Sequence, residues 1–467
     1  MSTRVAEAPP ATAGPTPGPA VHELLAAYRN GSLTPGAHVR RVLDLVAAHG
    51  DDGTWISVDA EAALARAAEL EATPGAADLP LYGVPFGVKD SIDVVGWPTT
   101  LACPSYAYEP RETAPAVQRL LDAGAICLGK TNLDQFATGL NGTRTPYTVP
   151  RSVFGGDLVS GGSSSGSARA VALGEVPFAV ATDTAGSGRV PAALNGVLGY
   201  KPSRGLVSTV GLVPACRSLD CLSLVVADPA DLRTVLDLMV GVDERDAWSR
   251  PYARLDVDEH ALVVGLPDED GLTFFGDEAT ADAHTRARAV VAGLFRTTAT
   301  SLAPFLAAGE LLYSGPWVAE RLVEFGDFLS VAHDDVVPVV GDIIRGGARF
   351  AATDVFRAQY RLAELKAEVG RLFASMDVLV LPTIGTTFTV PEVLADPVGT
   401  NTVLGHYTHF GNLLDLCAAA VPAGTTADGR PASLMVLGPA LSDDAVLAVA
   451  TRLAAHLPTS APIEESR

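Results

Sequence analysis

ATDTAGSGRVPAALNGVLGYKPSRG, residues 181–205, places Ser187 in a Gly-Ser-Gly turn directly after the apolar run FAVATD, residues 178–183. Six largely apolar residues bounded by small polar ones read as a buried strand. The glycines on either side of Ser187 permit a tight turn at its end. Successive backbone N–H groups of Thr184, Ala185, Gly186 and Ser187 can then converge on one point, the geometry an oxyanion hole requires. The G-x-S-x-G pattern of α/β-hydrolases is related, but the flanking sequence here does not match it.

Two further islands lie upstream. SGGSSSGSARA, residues 160–170, has a linker's composition, yet it runs straight into the apolar, structured ARAVALGEVPFAVATD. A Gly/Ser run entering a helix can also bind phosphate through its N–H groups, but the GK[ST] ending of a P-loop is missing. GVPFGVKDSID, residues 83–93, puts Lys89 after a β-like run. Most lysines at strand ends are exposed; a buried one loses its proton more readily and can serve as a base. A serine nucleophile needs a base, and none of the nine histidines lies near these islands. Lys89 can supply one if it is neutral, although taken alone it reads as a surface lysine at a strand end, and a second serine could relay the proton.

The rest of the chain sets the frame. Short apolar runs at 125–129, 178–183, 222–228, 261–267 and 377–383 alternate with helical spacing at 21–50, 58–73, 114–124 and 354–375. Alternation of this kind predicts an α/β protein around a mostly parallel or mixed sheet. At roughly 150 residues per domain the 467 residues allow about three domains, but no linker divides them. The expectation is a leader at 1–20, disordered by its Pro and Ala content, and one domain over 21–457 whose 240–375 portion is helical and variable. A tail follows at 458–467.

The charge balance, 33 Lys and Arg against 54 Asp and Glu for a net −21, argues against nucleic-acid binding. An anionic ligand would need a local cation. Cys103, Cys127, Cys216, Cys221 and Cys417 show no metal-ligand spacing, so reduced thiols and no metal are expected. Cys216 and Cys221 are read as packing residues, since no base lies near them in sequence. The N-terminus lacks an apolar signal core, and no run of about 18 apolar residues occurs, so a cytoplasmic, membrane-free protein is expected. A homodimer is the expectation on frequency alone.

Taken together and in this order, GxPxxxK at Lys89, the GGSSSG loop and DTAGSGRVP resemble the amidase signature family. The separation of Ser163 and Ser187, 187 − 163 = 24, fits it as well. The resemblance runs from about residue 22 to 455. It implies a central mixed β-sheet covered on both faces by helices, and a Ser-Ser-Lys triad needing no cofactor. Ser187 would attack the amide carbonyl. Ser163, preceded by a cis peptide bond, would relay the proton, and Lys89 would receive it. Thr184, Ala185, Gly186 and Ser187 would form the oxyanion hole. Asp183 and Arg189 would support the loop as a structural ion pair.

Within the family, 129–147, 188–224, 311–322 and 412–424 resemble allophanate hydrolases, and VLGPALSDDAVL at 436–447 resembles the family's C-terminal signature. That implies a small anionic amide as substrate, with Arg321 and Tyr313 as its contacts and Gly139 presenting backbone; Asn141 is a weaker candidate. Tyr313 and Arg321 are expected two turns apart on one helix. Ser160 stands where the family often has Pro, and His409 where Asn is usual. The C-terminal domain common in allophanate hydrolases is expected to be missing. The competing readings are an amidase for another small amide, a glutaminase-type component of an amidotransferase complex, and a non-catalytic scaffold.

Overall fold

The computed structural model describes residues 14–459. Among them eleven strands form one mixed sheet: β1 Trp55–Val58, β2 Pro85–Lys89, β3 Ile126–Thr131, β4 Phe178–Asp183, β5 Leu198–Lys201, β6 Cys221–Val226, β7 Val263–Pro267, β8 Arg296–Thr300, β9 Val378–Pro382, β10 Cys417–Thr425 and β11 Pro431–Gly438. Their order is β1-β3-β2-β4-β6-β5-β10-β11-β9-β7-β8. The groups β3-β2-β4 and β9-β7-β8 are parallel, and the remaining neighbours are antiparallel.

Both faces of the sheet are covered, and the period-2 alternation of the strands shows how. Phe178 and Val180 of β4, Val378 and Val380 of β9, and Leu434 and Val436 of β11 join one continuous core with the helices Pro115–Asp122, Pro229–Met239, Glu278–Leu294 and Asp443–Ala454. The intervening residues point the other way. Ala179 and Ala181 pack with the helices Pro35–His49, Ala60–Ala72 and Ser165–Ala172. Leu379, Leu381, Met435 and Leu437 pack with Ala303–Tyr313 and Ala352–Leu372. Nearly every inner strand residue is buried, as a sheet sandwiched between helices requires.

Two expectations need correction. The expected leader at 1–20 lies outside the described residues for positions 1–13, but positions 14–20 are bound to the body. Gly14 N–H donates to the Val153 carbonyl at 3.0 Å and Thr16 N–H to Ala172 at 2.8 Å. Tyr313 and Arg321 do not share a helix: one helix ends at Tyr313 and the next is Val318–Phe325. Ser314-Gly315-Pro316-Trp317 separates them, and Pro316 brings no N–H to continue the ladder. The two-turn spacing therefore does not set a common face. No described helix is long and apolar enough to cross a membrane.

Candidate active site

Strands β2 and β4 are parallel neighbours with Val88 opposite Val180, so their C-terminal ends emerge side by side. Lys89 ends one, and Thr182 and Asp183 end the other. The Gly/Ser run opens the helix Ser165–Ala172, which packs on the same strands, and so brings Ser163 and Ser164 to this edge. Crevices beyond the carboxyl ends of parallel strands are where α/β proteins bind ligands.

The Lys89 side chain is fully buried among hydroxyls. Its Nζ lies 2.7 Å from Ser163 Oγ, 2.9 Å from Ser164 Oγ and 2.7 Å from Thr182 Oγ1. Burial draws its pKa down to about 7 from the usual 10.5, against the opposing pull of Asp134, Asp183 and Asp220. A neutral amine donates twice and accepts once. The Ser164 hydroxyl already donates to the Thr182 carbonyl at 3.1 Å, so it can only accept from Lys89. Ser163 can then be the hydroxyl that gives Lys89 a proton. The peptide bond between Gly162 and Ser163 is cis.

Ser187 follows β4 and is 2% exposed. Its carbonyl accepts the Ser164 N–H at 3.2 Å, which joins the two serine loops through their backbones. Among the described residues the Ser163 hydroxyl bonds Lys89 and not the Ser187 hydroxyl. Catalytic hydrogen bonds of this kind often tighten only with substrate bound.

The loop around Ser187 hangs on Asp183. Its carboxylate accepts the N–H groups of Gly186 at 2.9 Å, Gly188 at 3.2 Å and Arg189 at 3.3 Å. It also takes a two-pronged bond from Arg189, with Nε and Nη2 each at 2.9 Å, both side chains being fully buried. Burial alone would raise this carboxyl, but Arg189 holds it down near 2. One expected donor is accordingly engaged: the Gly186 N–H serves Asp183, leaving Thr184, Ala185 and Ser187 as the N–H groups without a protein acceptor among the described residues. Gly186 itself has φ +124°, and a Cβ there would stand 2.3 Å from Thr408 Oγ1, so only glycine fits.

Asp134, Asp220, Thr182 and Ser164 are site residues that the motifs did not single out. The Asp134 carboxylate accepts Arg144 N–H at 2.9 Å and Gly142 N–H at 3.1 Å, and its own N–H donates to the Ser163 carbonyl at 3.0 Å. It packs so closely that a Cβ on Gly162 would fall 2.0 Å from its Oδ2, and one on Gly139 would fall 2.4 Å from the same atom. Burial raises the Asp134 carboxyl, with Arg144 opposing. Asp220, pushed up to about 6 by burial, accepts the Thr184 hydroxyl and the N–H groups of Ala215 at 2.9 Å and Cys216 at 3.0 Å. Asp134 lies in the 129–147 stretch, but nothing local to it signals that glycines from separate loops close on its carboxylate.

Arg321 is 4% exposed and approaches the turn that carries Gly139. Its Nη1 donates to Thr138 Oγ1 at 2.8 Å and to the carbonyls of Phe136 and Ala137 at 3.3 Å. Among the described residues it has no carboxylate partner. The side chain of Tyr313 lies outside the described residues. Asn141 is buried and its Oδ1 accepts from Thr143, which makes it part of the turn. Ser160 accepts from Asn195, and buried His409, whose pKa burial draws down to about 3, fills the space beside Gly405. Cys216 and Cys221 are free and buried. No group of three or more His, Cys, Asp or Glu side chains among the described residues is placed to hold a metal.

The family model that matches the chain, described as Amidase, covers residues 37–447. Urea amidolyase of Saccharomyces cerevisiae is 42% identical over 409 residues, covering 86% of this chain and 22% of its own length. The urea amidolyase of Lachancea kluyveri is 41% identical over 91% of this chain and 24% of its own. The chain thus spans about a quarter of these curated relatives. A glutamyl-tRNA(Gln) amidotransferase subunit from Acidobacterium capsulatum is 30% identical over 91% of this chain and 96% of its own length. Among solved structures, an allophanate hydrolase of Kluyveromyces lactis superposes with a TM-score of 0.88 at 38% identity, covering 94% of this chain and 72% of that one.

Proposed function

Because the chain belongs to the amidase family, an amide hydrolase is the premise, and we propose that it hydrolyses the terminal amide of allophanate through Lys89, Ser163 and Ser187. Ser187 Oγ attacks the amide carbonyl carbon while its proton passes to Ser163 and the Ser163 proton to Lys89. N–H groups of Thr184, Ala185 and Ser187 hold the oxyanion. The Lys89 ammonium returns its proton through Ser163 to the leaving nitrogen, which departs as ammonia. Water then enters by the same relay to free Ser187 and release a carboxylated carbamate. A single domain that takes in residues 14–20 and runs to 457, a cytoplasmic location and a homodimer belong to the same reading.

One observation carries the choice of substrate. Arg321 is a buried guanidinium that forms no ion pair among the described residues, although its charge reaches Asp220; it lies beside the turn of Gly139 and near enough to Lys89 for its charge to lower that pKa. A buried cation in that position is matched by a planar carboxylate on the substrate. Ammonia release from allophanate, malonamate and simple aliphatic amides tests the reading. The anionic amides are expected to be preferred, and Arg321→Ala to raise their KM about ten- to a hundredfold, the loss of a charge-assisted hydrogen bond. An unchanged KM removes Arg321 from the site, and an inert allophanate beside a turned-over neutral amide removes the substrate. The glutaminase-type reading has the near full-length match to a glutamyl-tRNA(Gln) amidotransferase subunit in its favour; ammonia release from glutamine only in the presence of partner proteins would establish it.

The rate should also follow the protonation of Lys89. The base is the neutral amine, so it is present above its pKa of about 7 and lost below it. The expected profile of kcat/KM falls about tenfold per pH unit on the acid side and levels off above neutrality. A flat profile from about pH 5.5 to 8.5 would exclude Lys89 as the titrating base.

A further inference from the structure

The helix Val318–Phe325 meets the site on two adjacent sides, and only one of them carries Arg321. On that side Arg321 and Phe325, one turn apart, face the 136–138 turn, with the Phe325 ring centroid 4.6 Å from that of Phe136. On the other, Glu320 and Glu324, also one turn apart, grip the loop that follows residue 215. Glu320 Oε1 accepts the Ser218 N–H at 2.7 Å, and Oε2 accepts the Ser218 hydroxyl at 2.7 Å and the Cys216 thiol at 2.9 Å. Glu324 pairs with Arg217 at 3.1 Å, more exposed to solvent. The loop in turn is held by Asp220, which accepts the N–H of Cys216 and the hydroxyl of Thr184 beside Ser187. Cys216 is buried and its pKa stands well above the usual value, so it remains a thiol that donates to Glu320.

We propose that Glu320 is a positioning residue for substrate selection: by tying the helix Val318–Phe325 to the 216–218 loop it fixes Arg321 over the site, and so sets how strongly an anionic amide is preferred to a neutral one. The proposal rests on Arg321 as the anion contact. Three acceptor bonds from one carboxylate to one loop are too many for a rim residue serving solubility, and they connect the arginine's helix to the loop supporting the nucleophile turn. Charge and position predict opposite signs. Glu320 adjoins Arg321 in sequence and repels an anion, so loss of its charge alone would tighten anionic substrates. Loss of the tie loosens Arg321 and weakens them.

The test is steady-state kinetics of the full chain with malonamate and propionamide, comparing Glu320→Ala, Glu320→Gln and Arg321→Ala. Glu320→Ala is expected to raise the KM for malonamate about tenfold with kcat within about threefold, and so to lower the preference for malonamate over propionamide by about tenfold. Glu320→Gln, which keeps an acceptor for the Ser218 N–H without the charge, is expected to stay within about threefold of the parent preference. A raised preference in both Glu320 variants, or equal losses on both substrates, overturns the proposal. Arg321→Ala separates the two levels. If it lowers the preference and Glu320→Ala does not, the positioning role alone fails. If it leaves the preference unchanged, the anion contact fails and the proposal with it. Should Glu320→Ala show no cooperative melt, Ser218→Ala removes one of the three bonds, with an expected loss of preference of about threefold; no loss there overturns the proposal.

Discussion

Lys89→Ala is expected to lower kcat by about ten-thousand-fold or more, measured as ammonia release. The amine has no substitute. Among the described residues no histidine bonds Lys89, Ser163 or Ser187, and the Nζ position is enclosed by Ser163, Ser164 and Thr182 with no exposure to water. The two serines have no stronger base within reach, and an alcohol alone is a poor nucleophile. Lys89→Met, which keeps the volume of the side chain, should fall as far as Lys89→Ala and so separate the loss of the base from the loss of packing. Members of one proton relay act as a unit. The double variant Lys89→Ala, Ser187→Ala should therefore be no slower than either single one. A Lys89→Met enzyme within about tenfold of the parent would exclude the proposed relay.

Arg189→Met should destabilise the protein by about 3–5 kcal/mol, read from the urea midpoint. The pair with Asp183 is fully buried, and without the guanidinium the carboxylate remains as an uncompensated charge inside the protein. Arg189 also donates to the Thr408 carbonyl at 3.3 Å and to Asn412 Oδ1 at 3.1 Å, so its loss unties the 408–412 segment. Adding Asp183→Asn removes the stranded charge and should recover part of the stability. Activity is expected to be lost in the single and in the double variant, because the Asp183 carboxylate, which Arg189 holds, also fixes the N–H groups of Gly186 and Gly188 next to Ser187. Recovery of activity along with stability would reduce the pair to a packing role.

The strands most legible in sequence are those buried on both faces. FAVATD runs as a strand over Phe178–Asp183 as read, and the expected 377–383 run becomes Val378–Pro382. The run at 125–129 is displaced to Ile126–Thr131, since pairing with β2 and β1 carries the strand through Gly129, Lys130 and Thr131, which show no apolar signal. Arg296–Thr300 was not readable at all: it is a polar, largely exposed edge strand held by parallel pairing to β7. The site divides in a similar way. Ser187 stood out because its turn is local. Lys89 did not, because its hydroxyl partners come from two other segments, and only the resemblance to a known pattern selected it among the lysines. Asp134 and Glu320 act through contacts 8 to 104 residues away in sequence. The Gly315-Pro316 break is local, and the even spacing of Tyr313 and Arg321 masked it.

The crowding around Asp134 limits what can be redesigned. Gly139 and Gly162 press on its carboxylate from two loops, and Gly142 gives it an N–H from the same turn. A side chain at either of the first two positions would have to enter space that the carboxylate already fills. A pocket to be enlarged for bulkier amides therefore cannot gain its space beside Asp134, and the wall behind Ser163 has to be left intact. Mutational libraries aimed at new substrates would return almost no folded, active members from Gly139 and Gly162.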